Sequence, residues 1–180
     1  MIFKETRLAG AFVIELEEHR DERGSFARTF CEREFAAHGL PTRFPQANLS
    51  RNHAAGTLRG MHYQVAPHAE AKLVRCATGA IYDVIVDLRP QSPTRFQSFG
   101  VTLEAKTGNA LFIPAGFAHG FLTLADDTQV SYLMGEFFHA ESARGFRYDD
   151  PMFSLQWPRG IVVIAPRDAG YPDFDPDESG

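Results

Sequence analysis

The heptapeptide Leu58-Arg59-Gly60-Met61-His62-Tyr63-Gln64 combines a guanidinium, an imidazole, a phenol and an amide with two apolar side chains and one glycine. A β-strand places alternate side chains on opposite faces, so a regular pleat would hold Arg59 and His62 apart. Gly60 lies between them, where a β-bulge or a close backbone approach is expected, and either would turn both side chains into one pocket. We interpret His62 as the catalytic residue of a site. The competing interpretation is a histidine that is simply hydrogen-bonded within the fold.

Short apolar runs continue along the chain after this heptapeptide and are separated by clusters of Gly, Pro, Asn and Asp. Residues 72–77 and 80–88 flank Thr78-Gly79, which predicts a tight hairpin. A short helix is predicted over residues 32–38, because Gly39 follows it. Many short strands with little helix indicate an all-β fold, an antiparallel sandwich or barrel.

The length and composition of the chain exclude several classes of protein. A chain of 180 residues without a visible linker predicts one domain over residues 1–180, with a frayed acidic tail from about residue 170. A net charge of −5 provides no basic footprint for nucleic acid or an anionic membrane. Cys31 and Cys76 lie in different segments, which does not suggest a metal cluster or redox motif. The first residues contain no signal-type apolar region, so we expect a cytoplasmic protein.

A metal site is the alternative use of the histidines. Metal-binding cupins carry a His-x-His pair followed by Pro-x-Gly-x-x-His, and Pro114, Gly116 and His119 fit the second half of that pattern. The first half fails, because Gln64 stands where the second histidine is needed. Catalytic zinc and iron sites normally use three protein ligands, so we predict no metal. The serine-hydrolase motif and the phosphate-binding glycine motifs do not occur, and the remaining His, Tyr, Lys, Arg and Asp residues suit proton transfer at carbon.

An ordered set of motifs resembles one family. The set consists of Asp21-Glu22-Arg23-Gly24-Ser25-Phe26, the heptapeptide, Lys72-Leu73-Val74-Arg75-Cys76, Asp83-Val84-Ile85-Val86-Asp87-Leu88-Arg89, Ser92-Pro93-Thr94, Ile113-Pro114-Ala115-Gly116-Phe117-Ala118-His119-Gly120-Phe121 and Asp150-Pro151. In this order they are similar to the dTDP-4-dehydrorhamnose 3,5-epimerases, from about Arg23 to Asp168. The resemblance implies a cupin-type antiparallel jelly roll with a few short helices, no cofactor or metal, a homodimer, and a nucleoside-diphosphate 4-keto-6-deoxyhexose as substrate.

The resemblance also implies roles for individual residues. His62 would be the general base and Asp168 its orienting partner. Tyr132 would be the general acid on the opposite face of the sugar, and Lys72 would stabilise the enolate oxygen. The positions implied in substrate binding are Arg23, Phe26, Arg28, Gln46, Asn48, Arg59, His119, Glu141 and Arg167. These roles agree with the chemistry, because removal of either proton next to the C4 ketone places negative charge on one oxygen.

Some residues depart from the family pattern, and several alternatives stay open. Arg28 replaces a glutamate that helps to bind the nucleotide, Ala47 replaces an aspartate, and Glu70-Ala71-Lys72 stands for Gln-Gly-Lys. A GDP- or CDP-linked substrate is therefore one alternative. Inversion at a single centre and migration of the ketone are others. A non-catalytic sugar-nucleotide-binding cupin and a metal-dependent cupin are the alternatives from different classes.

Overall fold

Antiparallel strands make up nearly all of the regular structure in the computed structural model, which describes residues 1–176. In chain order the elements of this part of the chain are β1 (Ile2–Glu5), β2 (Phe12–Glu15), β3 (His19–Asp21), β4 (Gly24–Phe26), α1 (Glu32–Ala37), β5 (Gln46–Asn52), β6 (Thr57–Gln64), β7 (Lys72–Thr78), β8 (Ala80–Asp87), β9 (Ser98–Glu104), β10 (Ala110–Ile113), β11 (Phe117–Thr123), β12 (Thr128–Met134), β13 (Ala143–Gly145), β14 (Val163–Ile164) and α2 (Pro166–Ala169). The predicted short helix is confirmed as α1.

Two sheets face one another. The first has the order β1-β2-β10-β7-β12-β5, and the second has the order β13-β6-β11-β8-β9 with β14 parallel to β6. Strands β3 and β4 form a separate hairpin. This arrangement confirms the predicted all-β jelly roll, in which successive strands alternate between two packed sheets.

Alternation along the strands decides which side chains lie between the sheets. Val74 and Cys76 of β7 and Val130 of β12 meet Ile85 of β8 and Phe121 of β11 in the central core. Polar residues at the same parity as these apolar residues therefore also point inward. This rule brings the candidate site residues to one end of the space between the sheets.

Both outer faces are also covered. Phe35 of α1 packs on the first sheet with Phe112 of β10. On the second sheet, Met61 of β6 packs with Phe146 and Phe174. Coverage on both sides explains the near-continuous apolar runs of β8 and β11.

Two details of the sequence prediction are wrong. Residues 78–79 do not close a hairpin, because β7 pairs with β10 and β12 whereas β8 pairs with β11 and β9, so the chain crosses from one sheet to the other at Gly79. The tail is packed rather than frayed at Phe174, which is 8% exposed and donates its backbone N–H to Asp150 Oδ2. Residues 177–180 of the predicted tail lie outside the described residues.

Within residues 1–176, no helix is both long and apolar enough to cross a membrane. The cytoplasmic location stays a prediction.

Candidate active site

A β-bulge at Gly60 shapes the wall that carries His62. His62 is opposite His119 and Arg59 is opposite Phe121, so three steps along β6 match two steps along β11. Gly60 has a φ of 126°, and a Cβ on it would lie 2.5 Å from the Gly120 Cα. Glycine therefore permits both the conformation and the close approach. The bulge turns Arg59 and His62 to the same face, as the sequence predicted, and leaves Met61 in the outer core.

Asp168 connects this bulge to the imidazole. Its Oδ1 lies 2.8 Å from His62 Nε2, and its Oδ2 accepts a hydrogen bond of 3.1 Å from the Gly60 N–H. Burial raises the pKa of Asp168, but the bond to His62 and the Gly60 N–H outweigh burial and hold the pKa below its ordinary value. A carboxylate on Nε2 selects the tautomer in which the Nδ1 lone pair is available as a base. The side chain of Asp168 is 7% exposed and that of His62 is 43% exposed, so the imidazole is accessible while its partner is shielded.

The first sheet supplies the opposite wall. Tyr132 of β12 shares the inward parity of Val130, and Asn48 of β5 is its register partner. Gln46 lies opposite Met134, one inward position further along the same pair of strands. Burial is the largest cause that raises the pKa of Tyr132; the charge of Arg59 lowers it and the charge of Glu70 raises it. The phenol therefore keeps its proton at neutral pH.

A cavity of about 530 Å³ separates the two walls. The residues predicted from the sequence that line it are His62, Tyr132, Lys72, Gln46, Asn48, Arg59, His119 and Arg167. Arg144 adds a further cation, and Leu49, Phe121 and Phe138 add apolar surface. The cavity is thus basic although the chain carries a net charge of −5. A basic, partly apolar cavity suits an anionic ligand of drug-like size.

A second histidine–carboxylate pair lies beside the first. His119 Nε2 is 2.6 Å from Asp83 Oδ1, and the Asp83 carboxylate is fully buried. His119 faces the cavity from β11, directly opposite His62 in the register. Asp83 orients this ring as Asp168 orients the other. In the sequence Asp83 appears only within a family motif. The signal that it points toward the cavity is that it alternates in step with Ile81 and Ile85, which lie in the core between the sheets.

Comparison with known proteins agrees with this geometry. The family model described as dTDP-4-dehydrorhamnose 3,5-epimerase matches residues 5–176. The chain belongs to this family.

The dTDP-4-dehydrorhamnose 3,5-epimerase of Methanothermobacter thermautotrophicus is 42% identical over 94% of this chain and 92% of its own length. The crystal structure of the enzyme from Elizabethkingia anophelis superposes with a TM-score of 0.95 at 34% identity, covering 100% of this chain and 99% of its own. A dTDP-6-deoxy-D-glucose-3,5-epimerase of Legionella pneumophila, solved in complex with dTDP-4-keto-L-rhamnose, has a TM-score of 0.89 at 36% identity, covering 96% and 92%. These matches confirm the predicted family, the fold class and the enzyme class, an isomerase of the epimerase type.

Four of the predicted epimerase residues do not reach the cavity of their own chain. Arg23 lies on the β3–β4 turn, 85% exposed, and pairs with Asp21 at 2.5 Å. Phe26 is 72% exposed and lines, with Arg28, a separate hollow of about 320 Å³. Glu141 is 69% exposed and faces His139. Arg23 and Phe26 belong to the β3–β4 hairpin, which is separate from both main sheets, and Arg28 follows it. Their role in substrate binding, like that of Glu141, stays a prediction.

The structure also identifies residues that the sequence prediction missed. Arg144 lines the cavity from β13, a strand of three residues that has no apolar pattern by which the sequence could predict it. Gln64 is buried, and its amide bonds Glu70 Oε2 and the backbone of the loop after β12. Among the described residues, His68, His139 and Glu141 offer atoms close enough for a metal ion, but none of the three lines the cavity. The His68 and His139 rings stack, with their centroids 3.5 Å apart and an angle of 9° between their planes.

Proposed function

We propose that this chain inverts C3, C5 or both in a dTDP-linked 4-keto-6-deoxyhexose, by removing a proton next to the ketone and returning one on the opposite face. The observation that carries the proposal is the placement of His62, with its partner Asp168 of α2, on one sheet and Tyr132 on the other, with the cavity between them. Inversion requires a base and an acid on opposite faces of the same carbon, and two facing sheets provide this arrangement.

His62 takes the proton through Nδ1, and Asp168 stabilises the imidazolium that forms. The electron pair of the broken C–H bond moves onto the C4 oxygen. Lys72 lies on the wall that also carries Tyr132, and its ammonium stabilises the charge that develops on this oxygen. Tyr132 then gives its proton to the carbon from the other side. Its raised pKa supports this role, because an acid has to hold its proton until the enolate needs it.

Arginines at the cavity bind the diphosphate in this proposal. Arg59 is fixed by a 2.8 Å bond from its Nε to Asn52 Oδ1, and Arg167 by a 2.7 Å bond from its Nε to the Tyr171 hydroxyl. Guanidinium groups held in this way match phosphate oxygens with little loss of conformational entropy. The family relatives that act on dTDP-linked sugars favour this nucleotide over GDP or CDP.

The active unit in this proposal is a homodimer. Arg23, Phe26 and Arg28 lie on or beside the β3–β4 hairpin, away from the cavity of their own chain. A large aromatic side chain that is 72% exposed at the end of a hairpin is typical of a contact with another chain. Strand β5 is an edge of the first sheet, and Leu49 on this strand is 50% exposed next to the cavity. A second copy that docks along this edge would bring its hairpin to the cavity.

The test is proton NMR of dTDP-4-keto-6-deoxyglucose incubated with the protein in deuterated water, with the C3 and C5 signals followed separately. Loss of one signal indicates proton abstraction at that carbon, and loss of both signals indicates proton abstraction at C3 and C5. Product analysis separates inversion from ketone migration. His62→Ala, folded and able to bind the nucleotide, should show neither exchange nor product. The proposal fails if the wild-type protein exchanges neither proton, or if His62→Ala keeps its activity.

A further inference from the structure

A buried ion pair joins Glu70 and Lys72 at the wall of the cavity. Lys72 Nζ lies 2.5 Å from Glu70 Oε1, and each side chain is only 7% exposed. Both residues line the cavity. Burial removes water from both groups, so a carboxylate at this distance is the main electrostatic partner of the Lys72 ammonium and restricts where it can lie.

The carboxylate of Glu70 is held from its other side as well. Gln64 Nε2 donates to Glu70 Oε2 at 3.0 Å. The same amide is fixed by Phe137 and His139, because its Nε2 also donates to the Phe137 carbonyl at 3.1 Å and its Oε1 accepts the His139 N–H at 2.6 Å. Each oxygen of Glu70 therefore has a defined partner. A carboxylate that is held at Oε2 by a fixed amide can in turn fix the position of Lys72 at Oε1.

Glu70 is also the one carboxylate among the described residues that line the cavity. The cations on the same lining are Arg59, Lys72, Arg144 and Arg167. Substrate phosphates can neutralise the arginines, whereas Lys72 already has a counter-charge before any ligand binds. This difference separates Lys72 from the diphosphate-binding groups and assigns it to the reacting end of the sugar.

We propose that Glu70 is a positioning residue that holds the Lys72 ammonium where the enolate oxygen develops its charge. This inference rests on the proposed function. The raised pKa of Tyr132 supports the inference: after burial, which is the largest cause, the Glu70 charge raises it further, against the effect of Arg59. One carboxylate thus acts on both the cation and the acid.

Steady-state kinetics of three variants test the inference. Glu70→Gln keeps the shape and a hydrogen-bond acceptor but removes the charge, and Glu70→Asp keeps the charge. Glu104→Gln is the matched control. Glu104 and Lys106 also form an ion pair between residues two positions apart in the sequence, but this lysine is 76% exposed. We expect kcat of Glu70→Gln to fall about tenfold or more, with KM changed by less than about twofold, because only transition-state stabilisation is lost. Glu70→Asp should recover most of this loss, and Glu104→Gln should match the wild type.

A spectroscopic measurement supplies a readout that a purely structural role would not move. The protein is labelled with ¹³Cζ-tyrosine, and the Tyr132 resonance is assigned by its absence in Tyr132→Phe. In Glu70→Gln the Tyr132 titration should move to lower pH. The inference is overturned if Glu70→Gln has the kcat of the wild type, if Glu70→Asp is as impaired as Glu70→Gln, or if the titration does not move. Absence of turnover by the wild type would instead overturn the proposed function, and the titration would still decide whether Glu70 sets the charge of this wall.

Discussion

The two oxygens of Asp168 make different hydrogen bonds: Oδ1 bonds His62, and Oδ2 accepts from the backbone N–H of Gly60 in the bulge. Asp168→Asn keeps the size but offers only one acceptor oxygen, so the ring of His62 and the Gly60 N–H compete for it. We expect kcat to fall about a hundredfold or more, because the wrong tautomer of His62 would face the substrate. Initial rates of C3 and C5 proton exchange measure this loss. Asp149→Asn, at an exposed carboxylate paired with Arg147, is the control.

The lowered pKa of Asp168 also predicts how the difference in free energy of unfolding between the wild type and Asp168→Asn depends on pH. The pKa of Asp168 is lower in the folded state than in the unfolded state. The ionised carboxylate therefore contributes its full stabilisation above the unfolded pKa, and this stabilisation is lost as the pH falls through the folded pKa. At neutral pH Asp168→Asn should lower the free energy of unfolding by about 1.5–3 kcal/mol. This difference should shrink as the pH falls below the ordinary pKa of an aspartate and through the lowered pKa of the folded state, as urea denaturation at several pH values would measure. A difference that stays constant with pH would contradict the role of the charge.

Tyr132→Phe separates the two halves of the reaction. The base and Lys72 remain, so we expect exchange of the substrate proton with deuterated solvent to continue, while the inverted product falls by about a hundredfold or more. Parallel measurement of exchange and inversion by NMR gives the ratio directly. Tyr148→Phe, at a tyrosine outside the cavity lining, should leave both rates unchanged. Normal inversion by Tyr132→Phe would show that another group returns the proton.

At the residue scale, the sequence predicted which reactive residues line the cavity better than it predicted the hydrogen bonds that hold them. His62, Lys72 and Tyr132 were expected from residue type and family pattern, and all three line the cavity. The hydrogen bonds of Glu70 and Asp83 were not expected. They depend on which neighbouring strand lies alongside and on the exact register, and neither quantity is written in a local pattern of residues.

The next scale is the strand β6, whose bulge is required for the site. A Cβ at position 60 would lie 2.9 Å from the His119 carbonyl oxygen as well as against Gly120, and the φ of 126° is strained for any L side chain. Gly60→Ala should therefore lower the free energy of unfolding by about 3 kcal/mol or more. It should also lower kcat by about a hundredfold, because a shift of about 1 Å at His62 is enough for that loss.

Gly24→Ala is the control for this prediction. Gly24 has nearly the same φ, 127°, but a Cβ there meets nothing within 4 Å. Its loss of stability, measured by chemical denaturation, should be only the backbone strain of about 1–3 kcal/mol. Equal losses in the two variants would mean that the contact with β11 is not what requires glycine at position 60.

Elements were predictable where a single strand carries its own pattern. The apolar runs and the glycine between Arg59 and His62 predicted strands and a bulge from local residues. The crossing at Gly79 was not predictable, because a turn between two sheets and a turn within one sheet share the same turn residues. Only the pairing of β7 with β10 and β12 distinguishes them, and those partners lie more than 30 residues further along the chain.

At the scale of the whole molecule, two groups of predicted substrate-binding residues lie in separate places. His62 and Arg59 line the main cavity, whereas Arg23 and Phe26 belong to the hairpin β3–β4. The family pattern groups them by function, but a one-dimensional pattern does not specify whether they meet within one chain or between two. This is the part of the site that the sequence could not place.

Mixing two inactive variants decides between these possibilities. In a homodimer with shared sites, His62→Ala and Arg23→Ala each disable both sites. A mixed dimer of the two has one site that combines the intact His62 of one chain with the intact Arg23 of the other. Random exchange of subunits makes half of the dimers mixed, so activity should return to about a quarter of the wild-type value. Proton exchange measured after dissociation and reassociation reports this recovery, and a mixture of His62→Ala with Lys72→Ala is the control, because these two residues belong to the same chain's cavity and a mixed dimer of them contains no intact site. Recovery confined to the first mixture would establish that the hairpin completes the partner's site; no recovery in either would place Arg23 outside the shared machinery.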